Sequence, residues 1–102
     1  ALQTKTTSTG LTFADDKRID FGDSADLKIY HDGSNSYVAE TGTGALILGG
    51  GAVGIMNAGG TENMIWCSEN GSVSLYHDNS KKFETTNTGG TLTGALRCWT
   101  WR

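Results

Sequence analysis

Residues 74–86 read SLYHDNSKKFETT, and residues 28–40 read KIYHDGSNSYVAE. Both stretches spell Tyr-His-Asp, pass through a short run of turn-forming residues, and resume at an aromatic residue. Aligning 24–46 with 70–92 extends the match: Tyr30 with Tyr76, His31 with His77, Asp32 with Asp78, Ser34 with Ser80, Gly44 with Gly90, and Leu46 with Leu92. Leu27, Ile29 and Tyr37 stand opposite Val73, Leu75 and Phe83, so the chain carries an internal repeat. A third fragment, TTSTG at 6–10, matches TTNTG at 85–89, the tail of the second copy. The sequence therefore opens in mid-repeat, as a piece of a longer chain would.

Each copy reads as a hairpin, because side chains alternate on both sides of Asp32-Gly33-Ser34-Asn35 and of Asp78-Asn79-Ser80-Lys81. Asp-Gly and Asn-Ser suit the positive-φ positions that reverse a strand. A turn centred on Gly33-Ser34 sets Tyr30 opposite Tyr37, and the same register sets Tyr76 opposite Phe83. Such aromatic pairs favour a hairpin by up to about 1 kcal/mol each. Nowhere do apolar residues recur at helical spacing for more than a turn, so the fold class is all-β.

At 102 residues the chain is a single module, 1–102, able by itself to bury roughly two-thirds of its unfolded surface. Apolar residues make up 36% of it, Gly is present 15 times and Pro not at all. Too few large apolar side chains are present for a substantial monomeric core, which points to partner subunits. Leu27, Ile29, Val73 and Leu75 are the expected core positions, many of them covered only by other copies of the chain. The formal charge of −3 comes with no basic run, which argues against a nucleic-acid partner. The start of the sequence lacks the charged and apolar regions of a signal peptide. Residues 41–61 carry no charge over about a membrane span, yet eight of them are glycine, which argues against an inserted helix.

LILGGGAVG, residues 46–54, places Gly49, Gly51 and Gly54 in a G-x-G-x-x-G pattern. A dinucleotide site needs a helix next, and IMNAGGTEN has no amphipathic face, so the reading here is a glycine-rich β turn or close backbone packing. No cofactor is expected. His31 and His77 lack a nucleophile and an orienting group, so neither forms a catalytic set. We read them as lying half-buried at strand ends beside Asp32 and Asp78, whose side chains cap the turns. In a three-fold assembly, three copies of His31 or His77 could meet on the axis around an ion. Asp15, Asp16, Asp20, Asp23 and Asp26 lack the D-x-D-x-D-G order of a calcium loop, and Asn70-Gly71-Ser72 is a short sequon common by chance. Cys67 and Cys98 show no metal-ligand or redox spacing, which leaves a disulfide between them open. Glu40, Glu62, Glu69 and Glu84 are scattered rather than paired for glycoside hydrolysis. The final RCWTWR sets Trp99 and Trp101 on one side of a strand, between Arg97 and Arg102. These four residues suit a sugar face, or the covered end of a β-structure.

DLKIYHDGSNSYV and NGSVSLYHDNSKKFETTNTGGTLTG resemble the repetitive segments of tail fibres and tailspikes of tailed bacteriophages, particularly phages of aquatic environments. The resemblance covers roughly residues 19–96; GGGAVGIMNAGG and the Trp-rich end depart from it. It implies an elongated, intertwined homotrimer of short β-hairpins, like a triple-stranded β-helix or a β-prism. Such a module would serve on the virion, outside the cell, as spacer and host-attachment element, with a surface glycan as its partner and no enzymatic role. The competing expectations are a glycan-cleaving tailspike segment and a secreted bacterial adhesin or filament subunit of the same architecture.

Overall fold

The alternation seen in both repeats becomes antiparallel sheet throughout. A computed structural model describes residues 4–97 and contains strands and turns but no helix among them. The strands are β1 (Thr4–Thr7), β2 (Gly10–Phe13), β3 (Ile19–Phe21), β4 (Leu27–His31), β5 (Ser36–Glu40), β6 (Ala52–Met56), β7 (Asn63–Ser68), β8 (Val73–His77), β9 (Ser80–Thr86) and β10 (Gly89–Leu92). Pairing is always with the next strand in sequence. It gives a two-stranded sheet β1-β2, a three-stranded sheet β3-β4-β5 and a five-stranded sheet β6-β7-β8-β9-β10. None of the three closes on itself. Within the module read over 1–102, the chain divides between Ile47 and Leu48 into two compact units, each holding one copy of the repeat.

The third fragment of the repeat is real in three dimensions. Thr7 pairs with Gly10 in the β1–β2 hairpin and Thr86 with Gly89 in the β9–β10 hairpin, so both TT-x-TG segments turn over two residues in the same register. The β4–β5 hairpin also has the expected register, with Tyr30 opposite Tyr37. Their rings stack, with centroids 4.7 Å apart and planes 19° from parallel. Asp32 N–H donates to the Asn35 carbonyl at 3.0 Å, and Gly33 sits at φ 97°, the first central position that a type II′ turn reserves for glycine.

The second copy departs from this pattern. Its turn lies one residue earlier, on Asp78-Asn79, with φ values of 48° and 61°, the double left-handed signature of a type I′ turn. Tyr76 is consequently opposite Lys81 rather than Phe83, and Phe83 is opposite Leu75. Lys82 is the extra residue, a β-bulge between the pairs Leu75–Phe83 and Tyr76–Lys81. The expected Tyr76–Phe83 pair therefore does not form, because the shifted turn and the bulge together carry Phe83 to the opposite side of the sheet.

That side is apolar from edge to edge. Ile55, Ile65, Leu75, Phe83 and Leu92 face one another in one cross-strand row, pair by pair. Val53, Cys67 and Val73 form a second row beside it, continued by Thr85 and Gly90. The three-stranded sheet repeats the scheme with Ile19, Ile29 and Val38, next to Phe21 and Leu27. These sides are only partly covered: Ile55 is 47% exposed, Leu75 44%, Leu92 40% and Phe83 37%, Ile65, Val53, Cys67, Ile19 and Leu27 are half-buried, and no hydrophobic side chain is fully buried among the described residues. The opposite sides are better covered by the chain's own groups. Ser74, flanked by Trp66 and Glu84 across the ladder, is 2% exposed, and Tyr30 and Tyr37 cover each other.

Two strand glycines have a steric reason. A methyl group on Gly54 would lie 2.5 Å from Cζ3 of Trp66, its partner across the ladder, and one on Gly90 would lie 2.5 Å from Cζ of Phe83. Each ring occupies space that only glycine leaves free. Gly54→Ala is expected to destabilise the fold by about 1–3 kcal/mol, as overpacking does. An unchanged thermal midpoint would show that the Trp66 ring does not rest there.

Deleting a residue from a strand normally sends all later side chains to the wrong side. Removing Lys82 should instead leave both flanking pairs intact, because it is the unpaired residue of the bulge. The expected cost is the bond its carbonyl accepts from Thr93 N–H (2.8 Å), about 1 kcal/mol. Deleting Lys28 from β4, where the register is unbroken, should abolish that sheet. Circular dichroism melts of the two deletions check this, and equal losses would contradict the assigned bulge.

Candidate functional site

The Tyr-His-Asp segments are turn machinery, and the two copies use them differently. In the first, Asp32 Oδ1 accepts from the N–H groups of Ser34 (2.9 Å) and Asn35 (2.7 Å), while Oδ2 accepts from the Tyr37 hydroxyl (2.9 Å). One carboxylate thus closes the turn and anchors the stacked pair. The Asn35 and Ser34 N–H groups, then the Tyr37 hydroxyl, hold Asp32 below its ordinary pKa of 3.8. The same bond raises Tyr37 above 10.0, since losing its proton would set two negative oxygens together. In the second copy Asp78 is itself the first central turn residue, and Asn79 Oδ1 instead accepts from Asn63 N–H on β7 at 3.1 Å. Asp78 does not make the capping contacts of Asp32.

The histidines are exposed rather than half-buried, a second correction: both flank the turn, where too little chain exists to cover them. His31 Nδ1 lies 2.9 Å from Ser36 Oγ. By strand alternation His31 lies on the side of Leu27 and Ile29, and His77 on that of Val73 and Leu75, so both border the open apolar sides. Among the described residues, no three His, Cys, Asp or Glu side chains gather into a group fit for a metal ion. Asp20 is engaged by Arg18 at 3.1 Å, and Asp16 occupies a left-handed turn position with its N–H on the His31 carbonyl (2.8 Å). Asp15, near Gly33, and Asp23 are exposed, while Asp26 and Glu40 both lie beside Gly42, whose N–H donates to Glu40 at 2.7 Å. Glu84 pairs with Lys81 at 3.0 Å. Glu62 is half-buried and Glu69 exposed.

Gly49 and Gly51 lead into strand β6 rather than a helix, so no anion-binding helix terminus follows the glycines. β6 turns into β7 through a loop built on Asn57. Its Oδ1 accepts from Thr61 and Glu62 N–H groups, both at 2.9 Å, and its Nδ2 donates to Thr61 Oγ1 at 3.0 Å. Among the described residues no helix is long and apolar enough to cross a membrane. A polar cleft of about 440 Å³ lies between the turns of the five-stranded sheet, lined by Asn70, Gly71, Ser72, Thr85, Thr86 and Asn87. It holds no titratable group and so offers no acid or base. Arg97 is exposed, and Cys67 is a half-buried free thiol. Trp99, Trp101, Arg102 and Cys98 lie outside the described residues.

What the structure brings together, and the sequence did not single out as a surface, is the apolar row with Cys67 beside it. Compared with protein-family models, curated proteins and solved structures, the chain matches none.

The Asp32 network makes a signed prediction. Because the folded carboxyl is depressed, its contribution is complete above the unfolded value of 3.8 and is lost as pH falls through the lower folded value. Tyr37 contributes below 10.0 and loses its share as pH rises through its raised folded value. NMR titration should place the Asp32 carboxyl below 3.8, and Asp32→Asn should remove that acid step from the melting profile. A midpoint at or above 3.8 would contradict the bonding described.

Proposed function

We propose that the chain is a module of a tailed-bacteriophage tail fibre or tailspike. Three copies combine into an elongated trimer that serves as spacer and host-attachment element on the virion. The observation that carries this reading is the missing core: ten strands form regular hairpins, yet no hydrophobic side chain is buried among the described residues. A lone chain of this kind leaves its apolar sides in water, and winding identical chains together covers them. The repeated hairpins supply the second support, since units that contact mainly their neighbours suit a rod. The motif resemblance supplies the third. Attachment is assigned to the RCWTWR end, where Trp99 and Trp101 with Arg97 and Arg102 offer stacking faces and hydrogen-bond donors to a host glycan.

Sedimentation equilibrium should give three times the chain mass of 10.8 kDa. A stable monomer that unfolds cooperatively would overturn the trimer. Changing Trp99 and Trp101 together to Ala should abolish adsorption to host cells with the mass unaltered. Undiminished adsorption would remove attachment from that end.

A further inference from the structure

We infer that Gly44–Ile47 is an exchanged strand: in the trimer it lies antiparallel along the open edge of β5 in a neighbouring copy, with Ile47 opposite Val38. This inference rests on the trimeric reading and adds to it a contact that joins the chains.

The first argument is the repeat. The segments TSTGLTF (7–13), TGTGALI (41–47) and TNTGGTL (86–92) share Thr-x-Thr-Gly and end, three residues later, on a large apolar residue. In the outer two, the first Thr pairs with the Gly over a two-residue turn, and the residues from that Gly onward form β2 and β10, each lying along the strand before it. The middle segment follows β5 as the last follows β9. Residues 44–47 nevertheless form no strand, and β5 pairs with β4 alone among the described residues. Segment and edge each lack the partner that the other two copies have.

The second argument is the turn. A two-residue turn needs the backbone groups of its first Thr directed at the returning strand. Thr41 N–H instead donates to the Asp26 carbonyl at 2.7 Å, on the β4 side. Its hydroxyl donates to the same carbonyl (3.1 Å) and accepts from Lys28 Nζ (2.6 Å). In the β1–β2 hairpin the equivalent Thr7 hydroxyl stays within its turn, donating to the Gly10 carbonyl at 3.1 Å and accepting from Thr9 N–H at 3.2 Å. Thr41 thus carries the chain straight on, past its own β5, and the β5 edge it leaves bare is matched by the same segment of another copy. Such exchange of an identical element between protomers is a low-cost route to assembly, and one strand given and one received by each copy closes a ring of three.

The third argument is fit. Asn35 and Thr41 bond across to the β4 side, so alternation directs the backbone groups of Ser36, Val38 and Glu40 to the open edge. With Gly44 facing Thr41, as in the other two segments, Ala45 faces Glu40, Leu46 faces Ala39 and Ile47 faces Val38. Ile47 then extends the row Ile19, Ile29 and Val38 onto a fourth strand. Neither SYVAE of β5 nor GALI carries the Lys or Pro that guards a free edge.

The experiment uses the full chain with Cys67→Ser and Cys98→Ser, into which Ala39→Cys and Leu46→Cys are introduced. These two face each other at a non-hydrogen-bonded ladder position, where side chains come closest. Mild oxidation should link the native trimer into covalent three-chain rings on a denaturing gel. Single-chain bands with both thiols consumed would place the segment on its own β5, and free thiols in an intact trimer would place it on neither; each overturns this inference alone. A monomeric unsubstituted chain overturns the trimeric reading with it. Proline gives an independent readout. Ala45→Pro removes a ladder donor and should raise the concentration for half-dissociation at least about tenfold, whereas Leu46→Pro, whose N–H faces away from β5, should change it less than about twofold. Equal effects of the two overturn the exchange.

Discussion

A β-sheet with one apolar side needs that side covered, and among the described residues of this chain no hydrophobic side chain is fully buried. The row from Ile55 to Leu92 shows the constraint most plainly. Each member is held in place by ladder pairing, so the strands present it whether or not a partner is there. Backbone hydrogen bonds and turn chemistry alone contribute little net stability in water, and small sheets without a covered face are marginal. Whatever supplies the missing cover also supplies most of the stability.

The turns are where the sequence spends its specific chemistry. Asp32 and Asn57 do the same work at different hairpins, each accepting two backbone N–H groups on one side-chain oxygen. Asp78-Asn79 achieves reversal by backbone conformation instead. The choice of turn has a consequence farther along the ladder. With the bulge at Lys82, it decides whether the aromatic after the turn joins the polar side, as Tyr37 does on β5, or completes the apolar row, as Phe83 does on β9.

Much of the fold was legible. Alternation identified the all-β class, and the Asp-Gly turn identified the Tyr30–Tyr37 pair, because a two-residue turn fixes register locally. The threonine-rich fragments matched for the same reason. The second hairpin misled because Asp-Asn-Ser offers two adjacent turn sites, and the left-handed tolerance of both Asp78 and Asn79 favours the earlier one. β6 was hidden by its glycine: Gly54 falls in the stretch that reads as a glycine-rich turn or close packing, and only the Trp66 ring resting on it decides between them. The apolar row was the least legible feature, since its five members come from five strands and are brought together only by four successive registers and a bulge.

The proposed function rests on the uncovered apolar sides more than on any single reactive group. The proposed trimer makes folding and association one process, with no stable uncovered chain. Its most direct test is the dependence of the thermal unfolding midpoint on chain concentration, followed over three decades. Coupled folding and association require the midpoint to rise steadily with concentration, by mass action. A sharp cooperative transition at the same temperature throughout would mean that the chain covers its apolar sides by itself, and would contradict the account at its root.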